Sequence, residues 1–260
     1  MGILNFTTDS FYDGGKYSEH DIRIAQCEKM ISEGAHIIDV GAFSSRPGAD
    51  FISTEEEKSR LLPDLESLSK RFPQTIFSVD TFRSEVAEAA YNHGADIIND
   101  ISGGTLDNNM FLKVSQLDIP YILMHMHGNP QTMQMAPIKN NVVEKISSFF
   151  MDSFEKLSGL GVKDIILDPG YGFGKSLESN YELLKKQEDV RINNLPILTG
   201  LSRKSMIYKI LNNSPEEALS GTITLNTIAL QNGANILRVH DVKEAVQCIK
   251  LFEFYDNIDE

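Results

Sequence analysis

Short apolar runs without polar alternation recur along the chain, and between them lie longer stretches whose apolar residues fall three and four positions apart. Four of the runs share one form, "EGAHIIDVG", "HGADIINDI", "LGVKDIILDPG" and "NGANILRVHD", each with a glycine where a helix-like stretch ends. Gly34, Gly94, Gly161 and Gly233 therefore read as left-handed helix C-terminal caps, after which the chain enters a strand. Four more β-rich runs, "ILNFT", "TIFSVDT", "PYILMHM" and "LPILTGLS", bring the count to eight. The intervening stretches carry helix signals. Thr54 with Glu57 has the spacing of a capping box, Ser214 before Pro215 and Glu217 marks another start, and Ile146, Phe149, Phe150, Phe154 and Leu157 form one packing stripe. An apolar strand with no polar alternation is what a parallel sheet covered by helices requires. Eight strict repeats predict an α/β protein, a single (β/α)8 TIM barrel over residues 1–260 with extended loops after strands 1 and 2; an open doubly wound sheet is the alternative.

In such a barrel the chemistry gathers at the C-terminal ends of the strands. Those ends read Asn5 and Thr7, Asp39, Asp80, Asn99 and Asp100, His125 and His127, Asp168, Ser202 to Lys204, and Arg238, His240 and Asp241. Any one of them alone reads as a turn or cap residue. A buried carboxylate costs several kcal/mol without partners, so polar groups on nearly every strand end point to a shared site. Asp80, Asn99 and Asp168 suit a flat heterocycle such as a purine or pterin, because carboxylates take N–H groups and the amide both gives and takes. Lys204, Arg238 and His240 suit phosphate or carboxylate oxygens, and at "SRKSMI" the cations sit where a helix begins. For Arg203 an outer ion pair is as good a reading as a ligand contact. The loops "TTDSFYDGGKYS" and "GAFSSRPGADFIS", with Gly14, Gly15 and Gly48, are suited to order over a substrate.

Charge narrows the choice. The chain has 24 Lys plus Arg against 37 Asp plus Glu, which disfavours nucleic acid and anionic membrane as partners, so any anion site is local. The two cysteines, Cys27 and Cys248, lie far apart in helix-like segments and read as buried thiols of a reducing cytoplasm. The start "MGILNF" lacks the pattern of a secretory signal, and Phe6 stands where an acylation signal wants Ser or Thr. No run of 18 uncharged apolar residues is present, and no membrane span is expected.

Taken in order, "ILNFTTDSFYDGG", "IIDVGAFSSRPGA", "FSVDTFRSEVAEAA", "DIINDISGG", "YILMHMHGNPQTMQ", "ILDPGYGFGK", "LTGLSRKS" and "RVHDV" resemble the dihydropteroate synthases, the folate-pathway transferases inhibited by sulfonamides. The resemblance spans the chain from the first strand to the last helix. It implies a pterin-binding barrel that joins 6-hydroxymethyl-7,8-dihydropterin diphosphate to 4-aminobenzoate, giving 7,8-dihydropteroate and pyrophosphate. It assigns the pterin to Asp80, Asn99, Met124, Asp168, Phe173, Gly200, Lys204 and Arg238. The diphosphate falls to Asn5, Ser45, Arg46, Arg238 and His240, with Asn5 also on the Mg2+ that the diphosphate carries. The aminobenzoate falls to Phe11, Ser45, Arg46, Pro47, Lys204 and Ser205, and catalysis to Asp13, Lys204, Arg238 and His240. A homodimer is implied as well.

The pattern departs from the family at Thr8, where Pro is usual, and at Phe43-Ser44-Ser45, where Glu-Ser-Thr is common. No segment precedes the first strand, so the lower end of the barrel is expected to be less covered, or the chain trimmed. Three other readings compete. A pterin-dependent methyltransferase shares Asp80, Asn99 and Asp168 but should lack the paired loops and the "SRKS" and "RVHD" cations. A metal-dependent hydrolase would use His125, His127 and His240. A noncatalytic pterin-binding barrel should have lost Asp13, Lys204 or Arg238.

Overall fold

The computed structural model describes residues 1–6, 19–43 and 52–258. Its strands are β1 (Gly2–Asn5), β2 (Ile37–Gly41), β3 (Ile76–Asp80), β4 (Ile97–Asp100), β5 (Tyr121–Met124), β6 (Ile165–Asp168), β7 (Leu198–Thr199) and β8 (Ile236–Leu237). The helices are α1 (Glu19–Ser32), α2 (Thr54–Arg71), α3 (Ser84–Tyr91), α4 (Met110–Leu117), α5 (Val142–Gly159), α6 (Leu177–Lys185), α7 (Ser205–Leu211), α8 (Leu219–Gln231) and α9 (Val242–Asp256). Strands β1 to β6 form one parallel ladder in chain order, and β7 pairs in parallel with β8. Single parallel bridges, Leu167 with Ile197 and Gly2 with Val239, join the two pieces. Leu167 N–H donates to the Pro196 carbonyl at 2.8 Å and Ile3 N–H to the Val239 carbonyl at 2.9 Å, so the ring closes as the sequence predicts.

Most strands are apolar on both faces because each face meets a different core, and β3 is an exception with Ser78 buried on its inward side. Leu4, Ile38, Val40, Phe77, Val79, Ile98, Leu123 and Leu167 face the helices in the main core. Residues of the opposite parity, Ile37, Ile97, Ile122, Ile166, Leu198 and Ile236, fill the lower interior of the barrel. The α5 stripe lies where expected, with Ile146, Phe150 and Leu157 fully buried and Phe149 and Phe154 packed beside them. The four capping glycines have φ between +87° and +101°. At Gly94 a side chain is excluded twice over, since a Cβ would also lie 2.5 Å from Ser69 Oγ.

Three local readings need correction. The cap of α2 is Ser53, whose hydroxyl accepts from Glu56 N–H, one residue before the predicted Thr54. Glu57 is instead buried, accepting from Thr81 Oγ1 at 2.7 Å and from the Arg83 guanidinium. Ser214 N–H does donate to Glu217, but only as a turn; α8 begins at Leu219. The repeat is also not uniform, because the short α7 is inserted between β7 and α8.

Candidate active site

The site follows from the period-two geometry of the strands. Two residues above the apolar plug, on the same inward face, stand Asp39 after Ile37, Asn99 after Ile97, Met124 after Ile122, Asp168 after Ile166, Gly200 after Leu198 and Arg238 after Ile236. Asp80 joins them from β3, level with Asn99 in the ladder. A polar layer thus rests on a dry floor, with Asp80 paired to Asn99 and Met124 to Asp168 in the ladder. Two glycines keep it open: a Cβ at Gly41 would lie 3.1 Å from Asp80 Cβ, and one at Gly200 would lie 3.8 Å from both Lys204 Nζ and Arg238 Cβ.

Arg238 binds across the mouth. Its Nε donates to Asp39 Oδ2 at 2.7 Å, and its Nη2 meets Asp39 Oδ2 at 2.6 Å and Asp80 Oδ2 at 3.1 Å. The same Asp39 oxygen accepts from Asn99 Nδ2 at 3.1 Å. Burial works against the Arg238 charge, but the carboxylates of Asp39 and Asp80 outweigh it and hold the guanidinium protonated. Burial pushes Asp80 up to about 7 despite Arg238, with Asp39 adding to the rise. Asp168 is likewise raised by burial, opposed by Lys204.

The two cations at the end of β7 part company. Arg203, at φ +55°, turns outward to hold both oxygens of Asp241 at 2.9 and 2.8 Å and the carbonyls of Pro215 and Glu216, so its outer ion pair is the reading that stands. Lys204 turns inward, with Nζ donating to the Tyr171 carbonyl at 2.5 Å and lying 4.9 Å from the centre of the Phe173 ring. Burial lowers its pKa to about 8, with Asp168 opposing the drop. Ser202 Oγ lies 3.0 Å from His240 Nδ1 and accepts from His240 N–H. His240 is exposed, Ser205 begins α7 and is half-buried, and Asn5 is half-buried at the end of β1.

Met124 and Phe173 belong to one apolar wall with Phe43, Phe82, Ile101, Met126 and Met133. Phe43, which departs from the family pattern, is edge-on to Phe82 at 5.2 Å. Phe11, Asp13, Ser45, Arg46 and Pro47 lie outside the described residues, as do Thr7, Thr8, Gly14, Gly15 and Gly48. Two tip residues are not site residues. Asp100 faces outward and binds Ser102 N–H, Ser102 Oγ, Gly104 N–H and the Tyr121 hydroxyl, holding the turn after β4. His125 is buried edge-on to Phe149 at 5.1 Å, its pKa lowered by burial to about 2, while His127 is exposed. Among the described residues no group of three or more His, Cys, Asp or Glu is placed to hold a metal.

Sequence reasoning missed Lys175. Its buried ammonium donates to the carbonyls of Gly170 at 2.7 Å and of His125 and Phe173 at 3.2 Å, and burial lowers its pKa to about 7. It fixes the loop that carries Phe173. The only signal was a lysine closing the glycine-rich "DPGYGFGK".

Residues 1–240 match the model of a family described as pterin binding enzymes. The dihydropteroate synthase of Escherichia coli (strain K12) is 43% identical over 259 residues, spanning 97% of this chain and 90% of that protein. That of Synechocystis sp. is 42% identical over 96% of this chain and 88% of its own length. Among solved structures, Yersinia pestis dihydropteroate synthase with a sulfonamide drug superposes with a TM-score of 0.92 at 38% identity, covering 98% of this chain and 93% of that one. The Xanthomonas albilineans enzyme in complex with 7,8-dihydropteroate gives 0.88 at 32% identity, covering 99% and 93%. With a polar layer suited to a pterin at the mouth of the barrel and likeness along nearly its whole length, this chain belongs to the dihydropteroate synthase family of pterin-binding enzymes.

Proposed function

We propose that this barrel condenses 6-hydroxymethyl-7,8-dihydropterin diphosphate with 4-aminobenzoate by letting the diphosphate leave before the amine attacks. The observation that carries the reading is the layer over the apolar plug, where acceptors, an amide and two inward cations stand together. Asp80, Asn99 and Asp168 hold the N–H edge of the ring, Lys204 its acceptor atoms, and Met124 and Phe173 its apolar faces, with Gly200 leaving room. Arg238 and His240 take the diphosphate, and Ser205 with Lys204 takes the carboxylate of the aminobenzoate.

The C–O bond between the pterin methylene and the diphosphate breaks, and its electron pair leaves with oxygen. The dihydropterin delocalises the positive charge left on the methylene, the amine nitrogen then forms the C–N bond, and its proton passes to solvent. Arg238 and His240 lower the barrier by countering charge as it grows on the leaving oxygen. No protein nucleophile is required. Asp13, Phe11, Ser45, Arg46 and Pro47 retain the roles the resemblance gives them, as part of this proposal.

The donor set fits Mg2+ only as a passenger of the diphosphate. With no carboxylate cage among the described residues, the remaining oxygen is the Asn5 side-chain amide, which among them makes no hydrogen bond. One neutral oxygen suits an ion that keeps several waters and is held chiefly by phosphates. Mg2+ so held would supply charge neutralisation at the leaving group.

The assembly proposed is a homodimer. On α9 Leu251, Phe254 and Tyr255 are 73%, 74% and 67% exposed and, with Ile258 just beyond it, form an apolar stripe that water solvates poorly. Among the described residues no helix is long and apolar enough to cross a membrane. Two free, buried cysteines support a reducing cytoplasm. The test of the reaction is formation of pyrophosphate and dihydropteroate from the two substrates, with Asp168→Asn as the control; an unchanged rate in that variant would refute the site.

A further inference from the structure

We infer that Lys175, which the family resemblance assigns to no substrate, is a positioning residue for the pterin ring, a buried strut that holds three of the ring's contacts in one geometry. Its ammonium donates to the carbonyls of Gly170 at 2.7 Å and of His125 and Phe173 at 3.2 Å. Each acceptor belongs to a segment that carries one wall of the ring site. His125 follows Met124 at the end of β5, Gly170 stands two residues after Asp168 at the end of β6, and Phe173 is itself the third contact. Gly170 passes the restraint on, because its N–H donates to Asp168 Oδ1 at 2.7 Å. An ammonium has only three N–H groups, so with three carbonyls served it has none left for a substrate and acts through these neighbours.

The outer end of the strut is fixed as well. Ile138 donates its N–H to the Gly174 carbonyl and accepts from Ser176 N–H, each at 2.9 Å, so Lys175 is held on both sides. Asn180 of α6 donates from Nδ2 to the Lys175 carbonyl at 3.1 Å. The inner end is pressed against β5, where a Cβ at Gly170 would lie 2.0 Å from the His125 carbonyl oxygen and one at Gly174 2.3 Å from that of His127. Lys175 is 3% exposed, and burial lowers its pKa to about 7, with Asp168 opposing the drop. A buried ammonium is costly to hold. What it offers that an apolar side chain does not is three directed donors, and all three converge on the segments of the ring site.

This inference rests on the pterin reading, so the parent protein is measured first. Failure of the parent to bind 6-hydroxymethyl-7,8-dihydropterin would sink that reading, and the role of Lys175 with it. With the parent binding, Lys175→Met keeps the length and the apolar stem and removes the donors. Calorimetry with the same compound should show ring affinity weaker by about tenfold or more, the size of one misplaced hydrogen bond to a charged group. In turnover the KM for the pterin diphosphate should rise by the same factor, with kcat and the KM for 4-aminobenzoate within about threefold of the parent. A lysine that only kept the chain folded would behave differently, lowering the active fraction and so kcat while the ring affinity of the folded protein and both KM values stayed put. That pattern, or full ring affinity in Lys175→Met, overturns the proposal. Should Lys175→Met fail to fold, Lys175→Gln, which retains an NH2 donor, must weaken ring binding by about threefold or more with the KM for 4-aminobenzoate unmoved, or the idea fails.

Discussion

Replacing Lys204 with Met separates binding from folding at the centre of the site. The two side chains have similar length, so the apolar stem against Phe173 is kept while the ammonium, 4.9 Å from that ring, is lost. A charge-assisted hydrogen bond to the substrate contributes about 1.5–3 kcal/mol, which at about 1.4 kcal/mol per decade is a loss of roughly 10- to 150-fold in affinity. The fold has opposing terms. The Tyr171 carbonyl, 2.5 Å from Nζ, loses its donor at a cost of about 1–3 kcal/mol, and Asp168 loses a neighbouring cation. Against this, burial already holds the Lys204 pKa down to about 8, so the neutral side chain escapes a desolvation penalty of similar size. The net change in stability should stay within about 1 kcal/mol, a shift of about 2–4 °C in Tm. Calorimetry with the pterin diphosphate and Mg2+ reads the first quantity and a thermal melt the second. Lys204→Met binding as tightly as the parent would refute the inward role of the lysine, and a collapse of Tm with binding intact in the surviving fraction would show that it is structural.

The free enzyme should show a bell-shaped pH dependence of pterin affinity. Asp80 must be ionised to accept an N–H and its pKa is raised to about 7, so affinity rises as pH passes that value; Lys204 must be charged and is lowered to about 8, so affinity falls beyond it. Lys204→Arg should move the alkaline limb upward, and a profile flat from about pH 6 to 9 would contradict both assignments. Because the raised Asp80 pKa favours its neutral form in the fold, its contribution to stability is present below the ordinary carboxylate range and lost as pH rises through about 7. Beneath the mouth, Glu57→Ala should cost about 3–5 kcal/mol, because it strands the Arg83 guanidinium that also holds the Ile52 carbonyl at 2.6 Å. A loss below about 1 kcal/mol in a urea melt would mean that the pair is not coupled. On α9, Leu251→Glu with Phe254→Glu should yield monomers by light scattering if the exposed stripe is the dimer surface, whereas an unaltered dimer would place the interface elsewhere.

The barrel was legible because its signals are local. A capping glycine followed by an apolar run is contained within nine to eleven residues, and eight apolar runs, four of them so introduced, leave few topologies. Asp80, Asn99, Asp168, Lys204 and Arg238 followed from counting to the ends of those runs. What stayed hidden depends on phase or on distance. A strand apolar on both faces does not reveal which of two neighbours points inward, so Asn99 and Asp100 read alike although one enters the site and the other holds a turn. Arg238 and Asp39 meet across 199 positions of sequence, a pairing that only closure of the ring creates. Arg203 and Lys204 diverge because Arg203 takes a left-handed backbone, which adjacent cations in a sequence do not announce. Ser53 and Thr54 are equally good caps by type, and only the backbone of Ser53 is extended as a cap must be.

The central claim is that the polar layer runs a condensation in which each diphosphate released is matched by one pterin joined to aminobenzoate. Purified protein incubated with 6-hydroxymethyl-7,8-dihydropterin diphosphate, 4-aminobenzoate and Mg2+ tests it, with pyrophosphate and dihydropteroate quantified together and Mg2+ omitted in parallel. Equal yields of the two products, lost without Mg2+, are the predicted result. Pyrophosphate without dihydropteroate, or neither product from folded protein, would contradict it.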